Sequence, residues 1–242
     1  MYIFKKSVAF GLLLTGASVA FASEGFFRDF NPDTLNVYVG ADLQNRHMPY
    51  KSGEGSQFFK KDSLQGNLFL GLRLHENFGV ELGYEQTQRK KREVTLLPGD
   101  QTLGGVVGIS QGFQTRAKLA GFHLDLMGFL PLEGYCKDLS LFAGIGVARL
   151  KAKLERTNVA VGGVQFPPVT QSFDEKNSKY VARLTAGAQY LLTENLGVRG
   201  ILNYENTSRI QPQSTSPDGT RVVKVKLKDS FSYGLGVFFK FW

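Results

Sequence analysis

The chain has 242 residues, 42% of them hydrophobic and 21% charged, with a formal net charge of +8 at pH 7 and a mean hydropathy of −0.15. That length suits one all-β domain of ordinary size, and a single cysteine, Cys136, excludes an intrachain disulfide. After residue 22 no run approaches the roughly 20 apolar residues of a spanning helix.

Residues 1–22 divide into a basic start (Lys5, Lys6), an apolar run from Val8 to Leu14 and a small-residue end, Ala20-Phe21-Ala22. This pattern predicts a signal peptide cleaved after Ala22. Its removal takes two lysines and no acid, so the formal charge falls from +8 to +6. Export argues against nucleic acid as a partner and leaves phosphate-bearing lipid as a reasonable one. Residues 23–34 are then a short periplasmic N-terminal segment.

From residue 35 the apolar positions recur every second residue, the mark of strands with one apolar and one polar face. The first strand sets Leu35, Val37, Val39, Ala41 and Leu43 against Asn36, Tyr38, Gly40, Asp42 and Gln44. The second sets Leu64, Leu68, Leu70, Leu72 and Leu74 against Gln65, Asn67, Gly71 and Arg73. In the third, Phe78, Val80, Leu82 and Tyr84 alternate with Gly79, Glu81, Gly83 and Glu85. A fourth over 115–128 carries Ala120, Phe122, Leu124 and Leu126 opposite Gly121, His123 and Asp125. The fifth, sixth and seventh cover 139–150, 182–190 and 198–205, with Arg183, Arg199 and Glu205 on the polar side. The eighth is predicted as one face from Val223 to Phe241, interrupted by Asp229.

The joins alternate in length. "HEN", "FLPLEGYCKD" and "TEN" are short, whereas 45–63, 88–114, 152–178 and 207–221 are long and polar. Short turns on one side and long loops on the other predict an eight-stranded antiparallel up-and-down transmembrane β-barrel over 35–242. The repeated Glu-Asn-x-Gly-Val at residues 76–80 and 194–198 then marks two of the three short turns. A lipocalin-like soluble barrel would face its apolar side inward. The glycine-rich polar face favours a narrow lumen instead, and Phe78, Tyr84, Tyr190, Tyr204 and Phe241 sit near strand ends like interfacial girdles.

The stretches "AGFHLDLMGFLPL", "LTENLGVRGILNYE" and "SYGLGVFFKFW" resemble the small outer-membrane barrels of Gram-negative bacteria. That superfamily holds the opacity proteins and the transmembrane parts of outer membrane proteins A and X. The resemblance implies an outer-membrane location, a monomer, and a terminal aromatic read by the barrel-assembly machinery. Tyr233, Phe239, Phe241 and Trp242 are the residues this signal would use. Alternation places Phe241, not Trp242, on the apolar face, so either Phe241 takes the terminal role or the last strand bends.

Asp42, Arg73, Glu81, Glu85, His123, Asp125, Arg183, Arg199 and Glu205 form the predicted lumen polar network. Eight strands leave an interior that side chains fill, so the expected state is a mutually neutralising plug, with a narrow pore for ions or small solutes as the alternative. A lipid-modifying hydrolase would need a hydroxyl beside His123, and strand four offers no serine. No enzyme, cofactor or metal is therefore expected. Arg89, Lys90, Lys91 and Arg92 form a basic run where strand three ends, suited to lipopolysaccharide phosphates or host surface ligands, or to a solvated rim. The predicted role is structural and interactive: outer-leaflet stabilisation and loop-mediated adhesion or ligand binding.

Overall fold

The computed structural model of the protein describes residues 36–51, 59, 61–97, 101–102, 105–106, 111–132, 134, 136, 138–159, 170–174, 178–215 and 222–241. The predicted signal peptide, the segment 23–34, Leu35 and Trp242 lie outside them. The strands are β1 (Asn36–His47), β2 (Asp62–His75), β3 (Phe78–Thr87), β4 (Lys90–Leu96), β5 (Gln101–Thr102), β6 (Gly105–Val106) and β7 (Gln111–Pro131). They continue as β8 (Leu139–Val159), β9 (Thr170–Asp174), β10 (Lys179–Leu191), β11 (Leu196–Glu205), β12 (Gln213–Thr215), β13 (Val222–Lys224) and β14 (Ser230–Lys240). The fold is all-β and antiparallel. Its long strands pair in the order β1–β2–β3–β7–β8–β10–β11–β14, and β14 pairs in turn with β1.

The predicted alternation is present as an alternation of exposure. Val37, Val39 and Leu43 on β1, Leu68, Leu70 and Leu72 on β2, and Phe122 and Leu124 on β7 face outward. So do Leu141, Ile145 and Val147 on β8 and the β14 row from Phe231 through Leu235 to Phe239. On β14 that row reaches Phe241, the roughly 9–11 residues with which a tilted strand crosses a bilayer.

Beyond this band the phase reverses. On β8, Ala148, Leu150, Ala152 and Leu154 turn inward and are buried, while Arg149, Lys151 and Lys153 point out. The paired stretch of β7 does the same, with Phe113, Ala117 and Leu119 buried and Arg116 and Lys118 partly exposed. The strand keeps its parity, and what exchanges is the polarity of its two faces, as expected where the medium outside changes from hydrocarbon to water. The long joins are thus partly strand: β1 runs on to His47, β4 and β9 flank the extended ends of β7 and β8, and β5 and β6 pair within 98–110.

Two further expectations are corrected. The predicted last strand is two elements: Val225 and Leu227 are buried at 1% exposure each, and only Ser230–Lys240 continues the outward row. The side chain at 229, an acid, interrupts the apolar face where the chain leaves the band. Phe78 is not an outward girdle residue but is buried at 8%, beside a register irregularity in β2 between Arg73 and His75. Tyr84, Tyr190, Tyr204 and Phe241 do stand outward.

The interior has three levels. At the short-turn end Tyr38, Phe69, Met127, Phe129, Phe142, Ile201 and Phe238 pack together, with Tyr38 edge-on to Phe69 and Phe238 at 6.2 Å. Glycine makes room for these rings: a Cβ on Gly71 would overlap the ring of Tyr38, its cross-strand partner, and one on Gly40 the ring of Phe69. The middle level is ionic. Above it lies an aliphatic cluster in which Leu119, Leu150 and Leu154 meet Met48, Tyr50, Phe59, Ile210, Val225 and Leu227 from the long joins.

The repeated turn has a structural reason. The side-chain amide of Asn77 donates to the Phe129 carbonyl at 3.0 Å, and the Phe129 N–H donates back to the Asn77 carbonyl at 2.9 Å. In the second copy the side-chain amide of Asn195 donates to the Lys240 carbonyl at 3.0 Å, and the Lys240 N–H returns the bond at 2.7 Å. Each asparagine clamps its turn to the end of the next strand and satisfies backbone groups that the ladder leaves over.

Candidate functional site

The ionic level is built by inward positions of β1, β2, β3, β7, β10, β11 and β14, which alternation aims at one axis. Arg199 on β11 is its lower knot. Its Nε donates to Asp42 Oδ1 at 2.8 Å and its Nη2 to Asp42 Oδ2 at 2.7 Å, a fork-on-carboxylate pair that passes over Gly236 of the intervening β14. Its Nη1 reaches Glu81 at 2.9 and 3.1 Å, and the Tyr38 hydroxyl donates to the same carboxylate at 2.8 Å. The guanidinium lies 3.5 Å from the centre of the Phe69 ring, which ties the ionic level to the aromatic one beneath.

The upper knot joins Arg46 and Arg183 through shared carboxylates. Arg183 contacts Glu85 at 2.6 Å, Glu205 at 2.8 Å and Asp125 at 3.1 Å. Arg46 meets Glu85 at 2.5 Å, Glu205, the Gln65 side-chain oxygen at 2.9 Å and Ser230 Oγ at 2.9 Å. Arg46, Asp42, Glu81, Glu85, Asp125, Arg183, Arg199 and Glu205 are all at most 4% exposed. Burying an unpaired ion costs several kcal/mol, so each of these charges is viable only because its partners stand within reach.

Of the residues expected here, Asp42, Glu81, Glu85, His123, Asp125, Arg183, Arg199 and Glu205 come together. Arg73 does not join the carboxylates: it lies lower and half-buried, with its guanidinium 4.1 Å from the centre of the Phe129 ring. Arg46 was missed, because residues 45–63 read as loop once the outward positions Asn45 and His47 ceased to be apolar. The persisting inward parity of Gln44 and Arg46 was the available signal.

His123 is a member of the network rather than a base in waiting. Its Nδ1 is 3.0 Å from Asp125 and its Nε2 is 3.0 Å from the Asn67 side-chain oxygen, while the Asn67 amide donates to Asp42 at 2.8 Å. The groups that face its two ring nitrogens, the Asp125 carboxylate and the Asn67 side-chain oxygen, include no hydroxyl. His47 pairs with Asp62 at 2.6 Å on the exposed rim, and His75 Nδ1 accepts the Asn77 N–H at 3.3 Å in a turn. Among the described residues no group of three or more His, Cys, Asp and Glu side chains could hold a metal ion.

The basic run after β3 does not act as one cluster. Arg89 pairs with Glu155 on the outer face, and Lys91 stands in register with Arg116. Arg92 is in register with buried Thr115, and its Nη1 donates to the Phe59 carbonyl at 3.4 Å. Strand alternation therefore deals the run to two faces, and the Lys90 side chain lies outside the described set. Lys91 and Arg92 also line a shallow rim crevice with Lys61 and Asp62. At the C-terminus Tyr233, Phe239 and Phe241 share the outward face, and the Phe241 N–H donates to the Val37 carbonyl at 2.7 Å, one residue past the end of β14.

The family profile described as outer membrane protein beta-barrel domain matches residues 9–241. The fold is similar to the crystal structure of Neisserial surface protein A (NspA). That likeness has a TM-score of 0.52 at 14% identity and covers 85% of this chain and 97% of that one. It is also similar to a major outer membrane protein from Thermus thermophilus. Here the TM-score is 0.50 at 14% identity, covering 86% of this chain and 100% of that one. Among curated proteins none matches the sequence significantly.

Proposed function

The chain belongs to the outer membrane protein beta-barrel domain family, and on that premise we propose a non-conducting eight-stranded barrel that stabilises the outer leaflet and displays its long joins at the cell surface. Its place is the outer membrane of a Gram-negative bacterium. Apolar side chains meet lipid there, and the strands enclose an ion-paired plug.

The observation that carries this reading is the ionic level, in which buried guanidiniums on β10 and β11 bond directly to carboxylates of β3 on the far wall. Such a level leaves no line of free charges for solutes to follow, and the packed aromatic and aliphatic levels close both ends. Outer-leaflet lipid and lipopolysaccharide are the partners this geometry supports. The barrel-assembly machinery is the expected insertion route, through the Tyr233–Phe239–Phe241 face and Trp242. Host surface ligands would meet the extension formed by β4, β7, β8 and β9.

The test is refolding of the mature chain into detergent or vesicles. The folded form is expected to migrate apart from the boiled form on a gel, with β-type circular dichroism, and to leave planar bilayers electrically silent. A chain that folds in buffer without any amphiphile overturns the membrane reading. Steady ion conductance overturns the closed-lumen reading and favours a narrow pore.

A further inference from the structure

The outward apolar row ends on each long strand at a definite residue: Leu43, Leu64, Tyr84, Phe122, Val147, Tyr180, Tyr204 and Phe231. Past those residues the outer surface differs from one side of the wall to another. There β1 carries Asn45 and His47, β2 Asp62, β3 Gln86, β11 Asn206 and β14 Asp229. On β7 and β8 the next outward positions are Ala120, Lys118 and Arg116, and Arg149, Lys151, Lys153 and Glu155. Single cations stand elsewhere on the rim, at Lys61, Arg209 and Lys228, but among the described residues the β7–β8 wall carries a run of them on one face.

Their register is costly as it stands. Lys118 lies directly opposite Lys153 in the β7–β8 ladder, and Lys151 is two residues from Lys153 on the same face. Like charges placed opposite each other destabilise a strand pair. Two acids stand near this run: Asp174 on β9 is in register with Lys153, and Glu155 already serves Arg89, Arg116 at 3.9 Å and Lys153 at 3.6 Å, so neither is opposite Lys118 or Lys151. Among the described residues, Lys118 and Lys151 have no ion-pair partner. Arg149 is held in place: its Nε donates to Ser178 Oγ at 2.7 Å, and its guanidinium lies 5.8 Å from the centre of the exposed Tyr180 ring.

We infer that the outer wall of β7–β8 above the apolar band is a binding site for the phosphates of an outer-leaflet glycolipid, with Lys118, Arg149, Lys151 and Lys153 as its donors. The inference rests on the reading of the chain as a barrel with lipid outside. These side chains project sideways from the wall, directly above exposed Phe122, Leu124, Ile145 and Val147, rather than from loop tips. An anion that satisfies them sits at headgroup depth with its apolar part against that row, which a soluble glycan does not do. Guanidinium and ammonium groups together suit phosphate oxygens, the first as a fork and the second as a point charge.

The experiment compares the natural sequence with the fourfold variant Lys118→Ser/Arg149→Ser/Lys151→Ser/Lys153→Ser, both refolded in uncharged detergent. Each is titrated with bis-phosphorylated lipid A, with dephosphorylated lipid A and with phosphatidylglycerol, and binding is read by native mass spectrometry. The natural chain is expected to prefer the bis-phosphorylated form over the other two by about ten-fold or more, with that preference abolished in the variant. Both proteins should retain the heat-shifted gel band. The double variant Arg149→Ser/Lys151→Ser, expected to show an intermediate preference, replaces the fourfold one if that fails to fold.

A folded variant that keeps the full preference overturns the assignment of these residues. A natural chain that binds phosphatidylglycerol or dephosphorylated lipid A equally well overturns the site altogether. In either case the barrel reading stands. A natural chain that never yields a heat-shifted band brings down the barrel reading and the inference with it.

Discussion

Arg199 makes two parallel bonds to Asp42 and two more to Glu81, so its removal strands two buried carboxylates at once. Arg199→Met is expected to cost about 3–5 kcal/mol, measured as the urea unfolding midpoint of protein refolded in phospholipid vesicles. Arg199→Lys should recover only part of the loss, because an ammonium cannot reproduce the fork. At the turns, Asn77→Ala and Asn195→Ala each remove one side-chain donor from a strand-end carbonyl. Each should cost about 1 kcal/mol in the same assay, and nearly additively, because the two clamps share no partner. These roles were unequally visible in the residues themselves. Asp42, Glu81 and Arg199 sat in clean alternation with apolar neighbours, whereas Arg46 had Asn45 and His47 beside it and lost the contrast that marks a strand.

On β7 and β8 one continuous strand lives in two solvents. Below Phe122 and Val147 the outward side chains are apolar, and the inward ones are glycine and ionic residues followed by the Met127, Phe129 and Phe142 cluster near the short turns. Above them the inward side chains are Leu119, Leu150 and Leu154, and the outward ones are cations. The same substitution should therefore have opposite consequences along one element. Leu124→Arg, in the middle of the band, is expected to destabilise by about 2–4 kcal/mol in vesicles. Gln114→Arg, on the outer face of the extension, should stay within about 0.5 kcal/mol. Equal costs at the two positions would mean that the phase change does not mark a membrane boundary. Period two was legible here, but its inversion was not, because charged residues after Val147 look the same in a loop and in a strand that has left the bilayer.

Across the described residues the interior is filled at three levels, by rings around Tyr38 and Phe142, by the ion pairs, and by aliphatic side chains around Leu150. Loosening the middle level alone should not open a path. Arg199→Ala/Glu81→Ala is expected to unfold at lower urea yet to stay silent in planar bilayers. Conductance in that variant would show that the ionic level is the gate and the packed ends are permeable. The folded circuit also explains the lack of a disulfide: each long strand has a partner on both sides, so stability comes from ladder and packing rather than from a covalent staple.

Period two, short turns against long joins, and the parity of each lumen charge were local properties, so the amino-acid order alone carried them. Strand alternation depends only on neighbours one and two residues away. The partner of each charge, the three-level interior, the division of Arg89–Arg92 between two faces and the clustering of cations on one wall depend on register between distant strands. Gln44 and Ser232, which share a hydrogen bond across the β1–β14 seam, are 188 residues apart. That register is decided when eight strands settle their hydrogen bonds together, and no single stretch of the chain contains it.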